Sequence, residues 1–177
     1  SNAWVVPLYH PSHVLEKRDE GLNSVFRRDV KNAAAWLDKK PPVFIDFKSR
    51  VKILTDIQEV KKYLRNTLEF AGEIAFDYET SGLKPYKKGH KIWSVAVATD
   101  EGDCFAFPID YPHWTENELD DIDELWENIL KHKRIKKIAH NMKFEDTWTR
   151  QIFQTNIENW HWCTMNVAHL IDSRAKF

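Results

Sequence analysis

The segment Ile74-Ala75-Phe76-Asp77-Tyr78-Glu79-Thr80 limits what this chain can fold into more than any other. Side chains on a strand alternate, so Ile74, Phe76 and Tyr78 share one face and Asp77 and Glu79 share the other. The apolar face must lie against a core. The two carboxylates stand side by side on the opposite face, where they repel, and unpaired burial of either is costly. A divalent cation resolves that conflict, because Mg²⁺ and Mn²⁺ prefer carboxylate oxygens. An edge strand with a solvated acidic face resolves it equally well, and the pattern alone does not separate the two.

A second segment, Ile138-Ala139-His140-Asn141-Met142-Lys143-Phe144-Glu145-Asp146, reads as a short strand running into a helix. With a helix from Asn141 to about Gln154, Asn141 and Glu145 share a face and Phe144, Trp148 and Ile152 pack inward. Acidic residues in a first helical turn are also what the helix dipole favours, so an ordinary helix start competes with a functional one.

Around these segments the pattern alternates between strand and helix. Val43–Phe47 and Val51–Leu54 read as short strands, and Thr55-x-x-Gln58 reads as a capping box for a helix carrying Ile57, Val60, Tyr63, Leu64 and Leu68. Glu73–Thr80, Lys91–Thr99 and Asp103–Ile109 form an antiparallel meander, with Asp100-Glu101-Gly102 turning the second hairpin. Thr115-x-x-Glu118 opens another helix, Lys136–Ala139 is a strand, and Thr164–Ile171 begins a last helix. Trp93, Trp126 and Trp148 fall on expected core faces. The order predicts an α/β fold in which three antiparallel strands plus a parallel strand are flanked by helices.

Hydrophobic residues make up 42% of the 177, enough for a core, and the net charge of −1 signals no strongly basic surface. Two cysteines without a C-x-x-C pair exclude a disulfide scaffold, no apolar run reaches membrane-spanning length, and a reducing cytoplasmic setting is expected. Ser1-Asn2-Ala3 reads as a tag scar, and 4–40 as an N-terminal segment with a helix over Ser24–Leu37 and a Pro-Pro linker. Residues 43–177 read as the main domain, and the abrupt end suggests a piece of a longer protein.

The acidic segments resemble the 3′-5′ exonuclease (proofreading) domain of family A DNA polymerases, the bacterial polymerase I type and its phage relatives. Asp77-Tyr78-Glu79-Thr80-Ser81-Gly82-Leu83 fits the first motif at every position. His140-Asn141-Met142-Lys143-Phe144-Glu145 fits the second, with Glu145 where that family usually has Asp. Cys163-Thr164-Met165 resembles a third segment usually beginning with Asp. The family's last motif, a Tyr and an Asp four residues apart, does not occur before Phe177, so the fold is expected to be C-terminally truncated and the fragment weakly active or inactive.

The resemblance implies a ribonuclease H-like fold and phosphodiester hydrolysis at the 3′ end of single-stranded DNA with two Mg²⁺ or Mn²⁺ ions, in a protein that also carries a polymerase domain. It makes Asp77 the bridging ligand and Glu79 and Glu145 further ligands, with Asp146 the alternative to Glu145. Thr80 and Leu83 would line the terminal-nucleotide pocket, and His140, Asn141 and Phe144 the channel behind it. Lys87 and Lys88, in the basic loop Lys84–Lys91, would meet phosphates. A second basic run, Lys131–Lys137, is explained as well by the end of a helix. The competing function is a catalytically impaired exonuclease-like module that binds DNA or supports a polymerase. In the N-terminal segment, Val5–Leu15 with His10-Pro11-Ser12 resembles the closing strand and loop of uracil-DNA glycosylase-like domains; no glycosylase activity is implied.

Overall fold

The structure, a computed structural model, describes residues 6–36, 39 and 47–173. The chain divides into two compact units, residues 1–45 and 46–177. In the first, helix α1 spans Pro11–Lys17 and α2 spans Glu20–Ala34. His10-Pro11-Ser12 is therefore a helix start and not a loop after a strand. The His10 ring caps α1 by accepting from the Ser12 N–H at 3.3 Å, and Pro11 loses nothing at a position whose N–H is unpaired anyway. The second helix starts and stops earlier than Ser24–Leu37, because Asp19 caps it through the Leu22 N–H at 3.1 Å. The expected strand Val43–Phe47 lies almost wholly outside the described residues, and Phe47 itself opens a short 3-10 turn, Phe47–Arg50.

In the second unit the order is β1 (Val51–Ile53), α3 (Ile57–Phe70), β2 (Glu73–Thr80), β3 (Ile92–Thr99), β4 (Cys104–Pro108), α4 (Glu116–Lys131), β5 (Lys136–Ala139), α5 (Lys143–Ile152), β6 (Trp160–Cys163) and α6 (Thr164–Ile171). The six strands lie in the order β1-β4-β3-β2-β5-β6. Only β3 runs against its neighbours; β2 with β5, β5 with β6 and β1 with β4 are parallel pairs. The meander and the parallel fifth strand stand as expected. Strand β6 was not anticipated, and Trp160 and Trp162 belong to it.

The core lies on the Ile74–Phe76–Tyr78 face of the sheet, under α3 and α4. Val60 and Leu64 from α3 and Ile122, Trp126, Ile129 and Leu130 from α4 are wholly buried there. Each such side chain contributes roughly 1.5–3 kcal/mol. Phe76 meets Trp126 edge-on at 5.4 Å and stacks on Trp160 at 5.7 Å. The cap of α4 is the expected box, with Thr115 and Glu118 bonding each other's backbone. The cap of α3 is Asp56 rather than Thr55; one oxygen of Asp56 accepts from Gln58 and Glu59 at 2.9 and 3.0 Å. Trp126 and Trp148 are buried as expected, but Trp93 is half exposed. The pairing of β2 with β3 slips between Glu79 and Thr80, which carries Trp93 out of the core register.

Three members of the second basic run, Lys131, Arg134 and Lys137, have structural partners. The Arg134 guanidinium donates to the carbonyls of Leu68, Glu69 and Ala71 at 3.0–3.2 Å, closing the C-terminus of α3. Lys137 is fully buried and its Nζ donates to the His132 carbonyl, at the end of α4, at 2.6 Å. Among the described residues no helix is long and apolar enough to cross a membrane.

Candidate active site

Asp77 and Glu79 are exposed on the face of β2 opposite the core, paired in register with Ala96 and Ser94 of β3. On its other side β2 pairs with β5 only through Glu73, Ile74 and Ala75. Beyond Ala139 the chain leaves the sheet. Asn141 takes the left-handed conformation, φ 57°, and its carbonyl accepts from the Phe144 N–H at 2.8 Å. Asn is one of the few side chains that tolerates this region. The helix therefore begins at Lys143, and the expected helical face shared by Asn141 and Glu145 does not exist. The turn instead sets the start of α5 against the flank of β2 that β5 leaves open.

Glu145, on the first turn of α5, is 1% exposed and its Oε2 is buried without a hydrogen-bond partner. Its carboxyl faces that of Asp77. Burial, with the Asp77 carboxylate adding to it, raises its pKa from the ordinary value to about 7 against the opposing pull of its own backbone N–H. The neighbouring residues hold this pair in place. Tyr78, next to Asp77, bonds Thr149, one turn after Glu145, at 2.8 Å, and Trp126 Nε1 donates to the Tyr78 hydroxyl at 3.1 Å. All three residues are buried, and burial pushes the Tyr78 phenol well above its usual range. Asp146 points elsewhere and accepts from Arg150 Nε at 2.7 Å. Glu79 is two residues along the strand from Asp77, about 7 Å away. Among the described residues no three His, Cys, Asp or Glu side chains close on one point.

The loop after β2 is pinned at its base. Ser81 N–H donates to the Lys91 carbonyl at 3.0 Å and Lys91 N–H to Ser81 Oγ at 2.8 Å. Thr80 Oγ1 donates to the Gly82 carbonyl at 2.9 Å. Gly82 lies directly under the His90 ring, and a Cβ there would come within 2.5 Å of it. Leu83 is 83% exposed and, with Tyr86, faces Asn141, Lys143, Phe144 and Thr147 across a cavity of about 350 Å³. In the basic loop, Lys91 pairs with Asp110, whereas Lys84, Lys87 and Lys88 are exposed without an acidic partner among the described residues. His140 is exposed and bonds Thr164 Oγ1 at 3.0 Å, which ties the turn to the start of α6. Cys163, where the resembling domains have Asp, is buried. Burial raises its thiol pKa, but the N–H groups of Asn166, Met142, Asn141 and Met165 outweigh that and leave it below the ordinary value. Tyr86, Lys143 and Thr149 also border this region without having been expected there: Lys143 lies inside the second motif, Tyr86 three residues after Leu83, and Thr149 one turn after Glu145.

A DNA polymerase of Bacillus phage SP01 is 23% identical over 193 residues, covering 96% of this chain and 20% of its own length. The chain thus spans about a fifth of that relative. Among solved structures, the catalytic core of Trypanosoma brucei RRP6 superposes with a TM-score of 0.51 at 15% identity, over 70% of this chain and 32% of that one. Trypanosoma brucei RNase D in complex with RNA gives 0.50 at 17%, over 62% and 36%. These two likenesses concern the ribonuclease H-like exonuclease fold. Residues 51–176 match the model of the 3′-5′ exonuclease found in type A DNA polymerases, so the chain belongs to that 3′-5′ exonuclease family.

Proposed function

We propose that this domain is the proofreading part of a DNA polymerase and removes nucleotides from single-stranded DNA 3′ ends with two divalent metal ions. The observation that carries the reading is the buried, orphaned carboxyl oxygen of Glu145 beside Asp77. Two carboxyls facing each other in a site that deprives one of them of water are a hard-oxygen donor set short of a cation, which fits Mg²⁺ or Mn²⁺. Asp77 and Glu145 would hold the first ion, with Glu79 contributing from further along the strand. When bound, such ions lower the pKa of the attacking water and stabilise the leaving 3′ oxygen. The chain's own part is positioning. The Tyr78–Thr149 bond keeps α5 against β2, and Asn141 aims the helix start at Asp77. Thr80 and Leu83 border the place of the terminal nucleotide, and Asn141, Phe144 and His140 that of the following ones. Lys87 and Lys88 supply cations for the strand. The same reading assigns the reaction to the cytoplasm, where replication takes place.

The second reading, an exonuclease-like module without chemistry, is favoured by one observation: among the described residues no third acid joins Asp77 and Glu145. Mn²⁺ binding separates the two. We expect this chain to take up Mn²⁺ in a titration read by electron paramagnetic resonance, and Asp77→Ala and Glu145→Gln to weaken that uptake at least tenfold. A 5′-labelled single-stranded oligonucleotide should shorten from its 3′ end in Mn²⁺, and Asp77→Ala should stop it. Mn²⁺ uptake indifferent to Asp77→Ala would overturn the reading.

A further inference from the structure

The chain has five tyrosines. Tyr9 stacks on His13, Tyr63 packs at a tilt against Phe105, Tyr111 meets His113 and Trp114 edge-on, and Tyr78 sits in the core. Tyr86 alone has neither a ring neighbour nor a hydroxyl partner among the described residues, and it is 68% exposed. Its position is nevertheless fixed. Pro85 beside it is buried, Lys87 N–H donates to the Lys84 carbonyl at 3.2 Å, and His90 N–H donates to the Lys87 carbonyl at 3.0 Å. The His90 ring bonds the same Lys84 carbonyl at 2.9 Å and lies over Gly82. The loop is thus held so that the exposed ring of Tyr86 stands on the rim of the cavity of about 350 Å³. Across that cavity stands Lys143, exposed and without an acidic partner among the described residues. An exposed aromatic face on a pinned loop, opposite a free cation, suits a strand whose bases stack and whose phosphates are anionic.

We infer that Tyr86 is the stacking platform for a nucleobase upstream of the 3′-terminal nucleotide, and that Lys143 on the facing wall holds the phosphate backbone of the same strand. The inference rests on the exonuclease reading and deepens it. Neither residue is a metal ligand, so both act on strand binding alone.

The test is fluorescence anisotropy of a short 5′-labelled oligothymidylate with Ca²⁺, which supports binding without turnover, using the whole chain. Tyr86→Ala should weaken binding roughly tenfold to a hundredfold, the value of one stacked base, and Tyr86→Phe should retain it. Lys143→Gln should weaken binding and lower the slope of log affinity on log salt by about 0.7, the share of one phosphate contact on a single strand. Placing an abasic site at successive positions should reveal one position where the wild type loses affinity and Tyr86→Ala does not. Equal sensitivity of the two proteins at every position overturns the platform, and so does unchanged binding by Tyr86→Ala. If Mn²⁺ still binds in an Asp77-dependent way in either case, only the platform falls. If neither Mn²⁺ nor oligonucleotide binds the wild type, the exonuclease reading falls and takes the platform with it.

Discussion

Glu145→Gln should stabilise the metal-free chain above pH 7. The carboxyl ordinarily titrates near 4.5 and, buried beside Asp77, titrates at about 7 when folded. At about 1.4 kcal/mol per pH unit, that difference corresponds to about 3 kcal/mol. The folded pKa is raised, so between pH 4.5 and 7 the folded state holds a proton that the unfolded state has lost. Stability from this group is therefore complete below about 4.5, declines as pH rises to about 7, and is flat beyond. Gln has the same shape and no charge. Urea unfolding in EDTA should give a variant more stable than the wild type by up to about 3 kcal/mol at pH 8 and nearly equal to it at pH 4.5. Mn²⁺ should narrow that gap at pH 8, because a ligand at a hundredfold its Kd adds about 2.7 kcal/mol to the protein that binds it and less to a variant that binds it more weakly. A Glu145→Gln chain less stable than wild type at pH 8 in EDTA, or a difference that does not change with pH, would refute the argument.

Tyr78→Phe leaves Trp126 Nε1 and Thr149 Oγ1 buried without their shared partner, and should cost about 2–3 kcal/mol in urea unfolding while also weakening Mn²⁺ uptake. Arg134→Ala should cost about 2 kcal/mol, since three carbonyls at the end of α3 lose one planar donor; Arg134→Lys, a point charge in place of a fork, should recover less than half. Burial lowers the Lys137 pKa to about 8, so the folded chain sheds this proton before the unfolded chain does. Stability should therefore rise from about pH 8 to 10.5 by about 1–3 kcal/mol relative to Lys137→Met, read by denaturation across that range.

Most of the sheet was legible because its strands alternate cleanly: Ile74, Phe76 and Tyr78 in, Asp77 and Glu79 out, as found. The helix over Glu116–Lys131 was legible from a capping box whose two halves are both made. Where cap-forming residues are neighbours, as with Thr55 and Asp56, spacing cannot choose; a carboxylate oxygen reaching two N–H groups prevailed. Strand β6 escaped notice because four residues, three of them aromatic and partly exposed, carry no period. Asn141 was misread because its distance from Glu145 matches a helical turn, while its backbone is left-handed. The site was visible only as two separate acidic segments. Their meeting depends on where β5 stops, a tertiary fact with no local signature, and the resemblance to exonuclease domains supplied it. The basic runs looked alike in sequence, yet Arg134 and Lys137 are bound to carbonyls and Lys87 and Lys88 face water.

Strand β2 is held from both sides at Glu73, Ile74 and Ala75, but only by β3 from Phe76 onward. One continuous strand is therefore rigid at its root and compliant at its tip. Hydrogen exchange should grade along it, slowest at the root. The acids ride on the half that lacks a second strand, so the distance between Asp77 and the helix that faces it is set not by the sheet ladder but by one buried side-chain bond, Tyr78 to Thr149.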